Sequence, residues 1–324
     1  MKVCIYGAGA IGGWIGSGLA RAGCSVSVVA RGATLDALQL HGLRLREGDR
    51  ITSQAVASSA LPADLGVQDL VVLAVKAPSL PDVARHIAPL LGPQTLVLTA
   101  MNGVPWWFLQ GFGGALAGTQ LTSVDPDGTL AAALPAQRII GCVVHASCSL
   151  PEPGLVQHHF GNKLILGEPS GEKTARVQQL AALLEKAGFE APVSAQIQKD
   201  IWFKLWGNMT VNPISALTGA TTDLIMNDEL VRGFISSVML EAMEIGARIG
   251  IPIDQQPEDR HQVTRKLGAF KTSMLQDVQA GKALELDTLV AAVRELGQLT
   301  GVQTPFTDAL LGLARLQARV RGLY

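Results

Sequence analysis

Three glycines near the start of the chain limit its fold more than any other feature. Gly7, Gly9 and Gly12 stand at GxGxxG spacing, directly after the apolar run Val3 to Tyr6 and ahead of an apolar stretch that reads as a helix. Strand, tight turn and helix in that order describe the opening of a dinucleotide-binding βαβ unit. The first glycine makes the turn, the second admits a pyrophosphate to the backbone, and the third lets the helix lie close on the sheet. On this reading the backbone from Gly7 through Ala8, Gly9, Ala10 and Ile11 to Gly12 cradles the phosphates, helped by the unpaired N–H groups of the helix start. A glycine-rich turn that binds nothing is the competing reading.

The next strand, residues 25–30, is rich in valine and ends at Arg31. Its end faces the adenosine ribose in such units, where an NAD enzyme carries an acid for the 2′-hydroxyl. No acid occurs between Gly12 and Asp36. Arg31 instead offers a guanidinium suited to a 2′-phosphate, so the expected cofactor is NADPH rather than NADH. A plain surface arginine is the alternative. Helices are predicted over 34–43 and 81–91, a strand pair over 43–56 around Gly48 and Asp49, and buried strands over 69–75 and 95–100. The last two run into Lys76 and Asn102. The glycine turn, Arg31, Lys76 and Asn102 thus all follow strand ends, where open parallel sheets bind their ligands.

Composition narrows the field further. A chain of 324 residues suggests two domains, and 26 Lys+Arg against 27 Asp+Glu leave no basic excess for nucleic acid or anionic membrane. Residues 87–124 carry no charge, but Pro89, Gly92, Pro93, Asn102, Gly103 and Pro105 break them into short elements. The four cysteines show no metal-ligand spacing and read as free thiols in a reducing compartment. A soluble, cytoplasmic protein without a metal is expected.

Strands are predicted over 139–149, 155–159 and 164–166, with turns at 151–154 and 161–162, then a helix over 172–187 and a last strand over 189–193. His145, His158 and His159 are read as structural, since two neighbouring strand residues face opposite ways. Strand patterning stops near Ala195. The predicted architecture is therefore α/β, with a Rossmann-type nucleotide-binding domain over 1–195 followed by an all-helical domain over 196–324. Its first helix, 196–217, is apolar except for Lys204, Asn208 and Asn212, which recur every four residues on one face. That stripe either lines a cleft for a small polar substrate or is a solvated face or interhelical hydrogen-bond network. Pro213 should kink or end the helix. Further helices are predicted over 227–250, 258–280 with Ser273 inside, and 308–320. Glu285 falls in the first turn of the helix after Gly281, where the dipole alone would justify an acid.

GAGAIG (7–12), AVKA (74–77), NGV (102–104), KLWGNMTVNP (204–213) and SMLQD with ELD (273–287) together resemble the ketopantoate reductase family over nearly the whole chain. The resemblance implies a Rossmann domain joined to a helical one, a cleft between them, NADPH as hydride donor and a small-molecule 2-oxo acid as acceptor, in pantothenate and coenzyme A synthesis. It implies that Gly7 to Gly12, Arg31, Lys76, Asn102 and Glu285 bind cofactor, that Lys204 is the proton donor, and that Asn102, Lys204, Asn208, Asn212 and Ser273 bind substrate. Thr222 stands near a place where relatives often have a further asparagine, and PWWFLQGFGG (105–114) is unusually aromatic. A related reductase of another 2-oxo acid and a non-catalytic NADPH sensor therefore stay open. The apolar helices of the second half can bury one another or a second copy, so a homodimer also stays open.

Overall fold

A computed structural model describes residues 1–324. The chain divides into two compact units, Met1–Met101 with Gly128–Ile197, and Asn102–Asp127 with Gln198–Tyr324.

The first unit is one nine-stranded sheet with helices. In chain order it holds β1 (Lys2–Tyr6), α1 (Ala10–Arg21), β2 (Ser25–Val29), α2 (Gly32–His41), β3 (Leu43–Glu47), β4 (Arg50–Gln54), β5 (Ala57–Ser59), β6 (Gln68–Leu73), α3 (Leu80–His86) and β7 (Leu91–Thr99). Then follow α4 (Thr129–Ala133), β8 (Ile139–Glu152), β9 (Leu155–Gly167) and α5 (Ala175–Lys186). The sheet order is β4-β3-β9-β8-β7-β6-β1-β2-β5. β5, β2, β1, β6, β7 and β8 run parallel to one another, and β8 pairs antiparallel with β9. Connections reverse direction between β1 and β6, the switch point at which such sheets hold ligands. Val3, Ile5, Leu70, Val72 and Leu98 fill the core.

α1 sits unusually close to this sheet. A Cβ on Gly16 would lie 2.8 Å from Ile5, and one on Gly18 would lie 2.5 Å from the Phe189 ring. Each glycine costs the helix about 1 kcal/mol against alanine, and the return is direct packing of its backbone on the strands.

Several expectations change. Residues 161–162 are not a turn, because β9 runs through them. Gly161 (φ +79) instead relaxes a register shift against β8, where His145 pairs with Lys163 and Ser147 with Phe160. Residues 189–193 form only two isolated bridges, Lys163 with Glu190 and Leu166 with Val193, rather than a strand. The predicted pair over 43–56 exists as β3 and β4, but β3 lies beside β9 at the far edge from β2. His158 stacks on Trp14 with centroids 5.5 Å apart and its Nε2 is 2.6 Å from the Gly161 carbonyl oxygen. The Nε2 of His159 is 2.8 Å from Ser149 Oγ. Both rings serve packing and local hydrogen bonds.

The second unit holds the long α6 (Ile197–Thr218), α7 (Thr222–Asn227), α8 (Glu229–Arg248), α9 (Pro257–Arg265), α10 (Ser273–Gln279), α11 (Ala292–Thr300) and α12 (Pro305–Val320). Asn102–Asp127 clusters with these helices. α6 is pinned by two indoles: Trp202 donates to the Ala242 carbonyl at 3.2 Å and Trp206 to that of Met239 at 2.9 Å. Pro213 does not end α6, which continues to Thr218. Burial of Val211, Ile214 and Ala216 outweighs the loss of one backbone donor. The predicted helix over 258–280 is two helices. Gly268 (φ +62) breaks it, and the Thr272 side chain caps α10 by accepting from Leu275 N–H at 3.2 Å. Ser273 is therefore the first residue of α10 rather than an interior one. The helix expected over 227–250 begins at Glu229 behind an Asp228 cap, with α7 unforeseen ahead of it. No helix is long and apolar enough to cross a membrane.

Candidate active site

At the head of the first unit the sequence dictates an open turn. Gly7 takes φ +100, which a side chain would strain, and a Cβ on Gly12 would collide with the Gly7 carbonyl oxygen. Gly9 is the N-cap of α1 and supplies no capping side chain. The first intrahelical donor is Gly13, at 2.8 Å from the Gly9 oxygen. The N–H groups of Ala10, Ile11 and Gly12 are left facing outward with the positive end of the helix dipole, which fits a pyrophosphate.

Arg31 closes β2 and caps α2, with its side chain 64% exposed. It forms an ion pair with Asp82 of α3. Asp82 also meets Arg85 and His86 Nδ1, each at 3.2 Å. The bond to Arg31 holds the Asp82 carboxyl below the ordinary range and raises the guanidinium. The missing acid of the segment after Gly12 is thus supplied from 51 residues further along the chain. Lys76 is half-buried just past β6, on extended backbone, and its carbonyl accepts from Ser79 N–H at 2.9 Å. Glycine turn, Arg31 and Lys76 all follow the carboxyl ends of parallel strands. The turn and the exposed guanidinium fit the phosphates of NADPH.

In the second unit the polar stripe of α6 meets a partner. Lys204 Nζ donates to Asn102 Oδ1 at 2.8 Å. Lys204 and Asn208 are half-buried and Asn212 is buried, between Trp202, Leu205, Trp206 and Met209, all under 3% exposed. An ammonium in such surroundings is held in a fixed place by its amide acceptor. Asn102 is itself anchored by the residues after it. Val104 N–H donates to the Thr288 carbonyl at 2.8 Å, and Gly103 (φ +84) lies so near Thr288 that a Cβ would stand 2.7 Å from it. Further on, Glu295 of α11 accepts from Thr122 N–H at 2.7 Å, Ser123 N–H at 2.8 Å and Thr122 Oγ at 2.9 Å. Burial raises this carboxyl, but the hydrogen bonds it accepts prevail and lower it. Glu295 thus holds residues 122–123 in place, a contact that periodicity could not reveal.

The aromatic run 105–114 is spent on packing. Trp106, Trp107 and Phe108 are at most 4% exposed, and Phe108 lies 6.1 Å from Trp202. Ser273 is exposed at the head of α10. Glu285 is buried, and its carbonyl accepts from Leu289 N–H at 3.2 Å. It precedes the π-helical turn Asp287–Ala291 rather than lying within the helix. Among the cysteines, burial pushes the Cys4 and Cys148 thiols up to about 12, which keeps them protonated and unreactive.

The chain holds a parallel-sheet unit with a glycine turn and an exposed arginine, and a helical unit with a lysine held on an amide; it is an NADP-dependent oxidoreductase. The chain belongs to the ketopantoate reductase family. The model for "Ketopantoate reductase PanE/ApbA" matches residues 3–171, and that for "Ketopantoate reductase PanE/ApbA C terminal" matches 196–318. A 2-dehydropantoate 2-reductase of Mesorhizobium japonicum is 48% identical over 325 residues, covering 100% of both chains. A crystal structure from Ralstonia solanacearum MolK2 superposes with a TM-score of 0.96 at 55% identity, over 100% of this chain and 99% of the other. A PanE/ApbA family ketopantoate reductase from Ralstonia eutropha JMP134 gives 0.85 at 27% identity, over 99% of this chain and 100% of the other.

Proposed function

We propose that this chain reduces 2-dehydropantoate (ketopantoate) to pantoate with NADPH, as a cytoplasmic step toward pantothenate and coenzyme A. The observation that carries the reading is the Lys204 ammonium fixed on Asn102 at 2.8 Å. Bound NADPH supplies a hydride to the carbonyl carbon. Negative charge then gathers on the carbonyl oxygen, and the Lys204 ammonium stabilises it and gives it a proton. Asn102 aims that ammonium. Asn208 and Asn212, one and two turns further along the same face, orient the carbonyl and a neighbouring hydroxyl. Ser273 donates its hydroxyl to a substrate oxygen. Gly7 to Gly12 hold the pyrophosphate, Arg31 the 2′-phosphate, and Lys76, Asn102 and Glu285 complete the cofactor contacts. On this reading residues 1–195 serve the cofactor and 196–324 the substrate, with Asn102–Asp127 joined to the latter.

One observation favours a second substrate. Thr222, near the place of the family's further asparagine, is 1% exposed and donates to the Gly268 carbonyl at 2.6 Å. It is consumed by structure, so a contact to ketopantoate is missing and another 2-oxo acid becomes a competitor. NADPH oxidation with ketopantoate beside a panel of 2-oxo acids tests both. Highest kcat/KM on ketopantoate supports the first reading, preference for another acid the second, and no turnover on any acid refutes both.

A further inference from the structure

Arg260 is a cation without a counter-charge, and its place suggests why. It projects from α9 onto α6, where a Cβ on Gly207 would lie 2.5 Å from its Nε and 2.9 Å from its Cζ. Cζ stands 5.8 Å from the centre of the Phe203 ring. Nε is fully buried and has no hydrogen-bond partner. The acids nearby in sequence are engaged elsewhere. Glu258 pairs with Arg265 at 2.9 Å, and Asp259 accepts from Gln256 N–H at 2.9 Å. Burial pulls the guanidinium below the ordinary arginine range, with no carboxylate near enough to offset it.

Removing a charge from water without pairing it is costly. Gly207 adds to that cost, because a glycine weakens a helix interior, yet only glycine leaves room for the guanidinium on the α6 backbone. Both costs are recovered if an anion binds. Phe203 and Gly207 immediately precede Lys204 and Asn208, so Arg260 covers the strip of α6 next to the polar stripe, 100° round the helix by standard geometry of about 3.6 residues per turn. We infer that Arg260 recognises the carboxylate of the 2-oxo acid whose carbonyl oxygen meets Lys204. A 2-oxo acid carries these two groups on adjacent carbons, which suits two cations on neighbouring strips of one helix. The planar fork of Arg260 matches both carboxylate oxygens. The inference rests on the proposed reductase function.

The test uses the full chain and two variants. Arg260→Met removes the charge and keeps most of the volume. Gly207→Ala keeps the charge and displaces it. Both should raise KM for ketopantoate, the first by about 100-fold, with a smaller effect on kcat and none on the dissociation constant of NADPH. The ligand-free Arg260→Met protein should melt no lower than wild type, because an unpaired charge has gone, while ketopantoate with NADP+ should no longer raise its Tm. A lower Tm with unchanged KM would make Arg260 a packing residue and overturn the inference, and so would a loss of NADPH affinity in place of substrate affinity. Wild type that fails to turn over ketopantoate would defeat the functional reading instead. In that case the carboxylate-dependent Tm shift with pyruvate and NADP+, present in wild type and absent in Arg260→Met, still supports the carboxylate site, and equal shifts overturn it.

Discussion

Replacing Lys204 by alanine gives the most direct test of the proposed chemistry. The ammonium is given two tasks at one atom, stabilising charge on oxygen and delivering a proton. General-acid catalysis contributes roughly 10²–10⁴-fold and a preorganised charge-stabilising donor roughly 10²–10³-fold. Because one group performs both, the factors overlap and do not multiply. The expected loss in kcat is about 10³–10⁴-fold, or about 4–5.5 kcal/mol of transition-state stabilisation. Truncation also leaves Asn102 Oδ1 without the donor it has at 2.8 Å. Both side chains are only half-buried, so water can replace the bond and stability should change by no more than about 1 kcal/mol. Lys204→Arg separates the tasks, since a guanidinium keeps the charge but does not release a proton. It should retain part of the activity that alanine loses. The assay is steady-state loss of NADPH absorbance at saturating substrate, with NADPH affinity measured separately by fluorescence titration. Turnover of Lys204→Ala within about tenfold of wild type would remove the residue from the mechanism. So would an equal fall in NADPH affinity, which would place it on the cofactor.

Arg31→Ala should weaken NADPH by about 100-fold and NADH by less than about threefold, because only the former carries the phosphate that competes for the guanidinium; equal loss for both would refute the 2′-phosphate assignment. Asp82→Asn, which frees Arg31 from its carboxylate partner, should tighten NADPH about threefold in the same titration. Glu241 is 9% exposed and caps α12 by accepting from Phe306 N–H at 2.8 Å, Thr307 N–H at 2.9 Å and Thr307 Oγ at 2.6 Å. Glu241→Ala strands those donors and should cost about 3 kcal/mol in chemical denaturation; a cost below about 1 kcal/mol would mean that water reaches the helix end. Glu295 has a folded carboxyl held below its unfolded value of 4.5, so its contribution is complete above that value and is lost as pH falls through the lower folded one. Fluorescence of the buried Trp106 and Trp107 should therefore change on acidification to below the unfolded value of 4.5, and Glu295→Gln should remove that transition.

The parts of the candidate site that lie close together in the chain are legible without a structure. The turn at Gly7 to Gly12, the arginine ending β2 and the four-residue repeat of Lys204, Asn208 and Asn212 are each set by backbone geometry within a few residues. Where the reading failed, a local signal met a competing one. Pro213 signals a kink or an end, yet α6 does not end there, because the flanking Val211 and Ile214 hold the helix by burial. The continuous periodicity over 258–280 concealed Gly268 as a stop and Thr272 as a cap.

What no local pattern contains is which distant residues meet. Asn102 reaches Lys204 across 102 positions, and Glu295 holds Thr122 across 173. Asp82 supplies Arg31 with the carboxylate missing from its own segment, β3 docks on β9 instead of β2, and Arg260 settles on Gly207 with no acid beside it. The amino-acid sequence by itself determined the dinucleotide turn, the family and the face of α6 that carries the lysine, because turn conformation and helical period are short-range properties. Tertiary structure alone decided what aims the lysine and which cation is left unpaired, because those pairings follow from packing free energy summed over whole units.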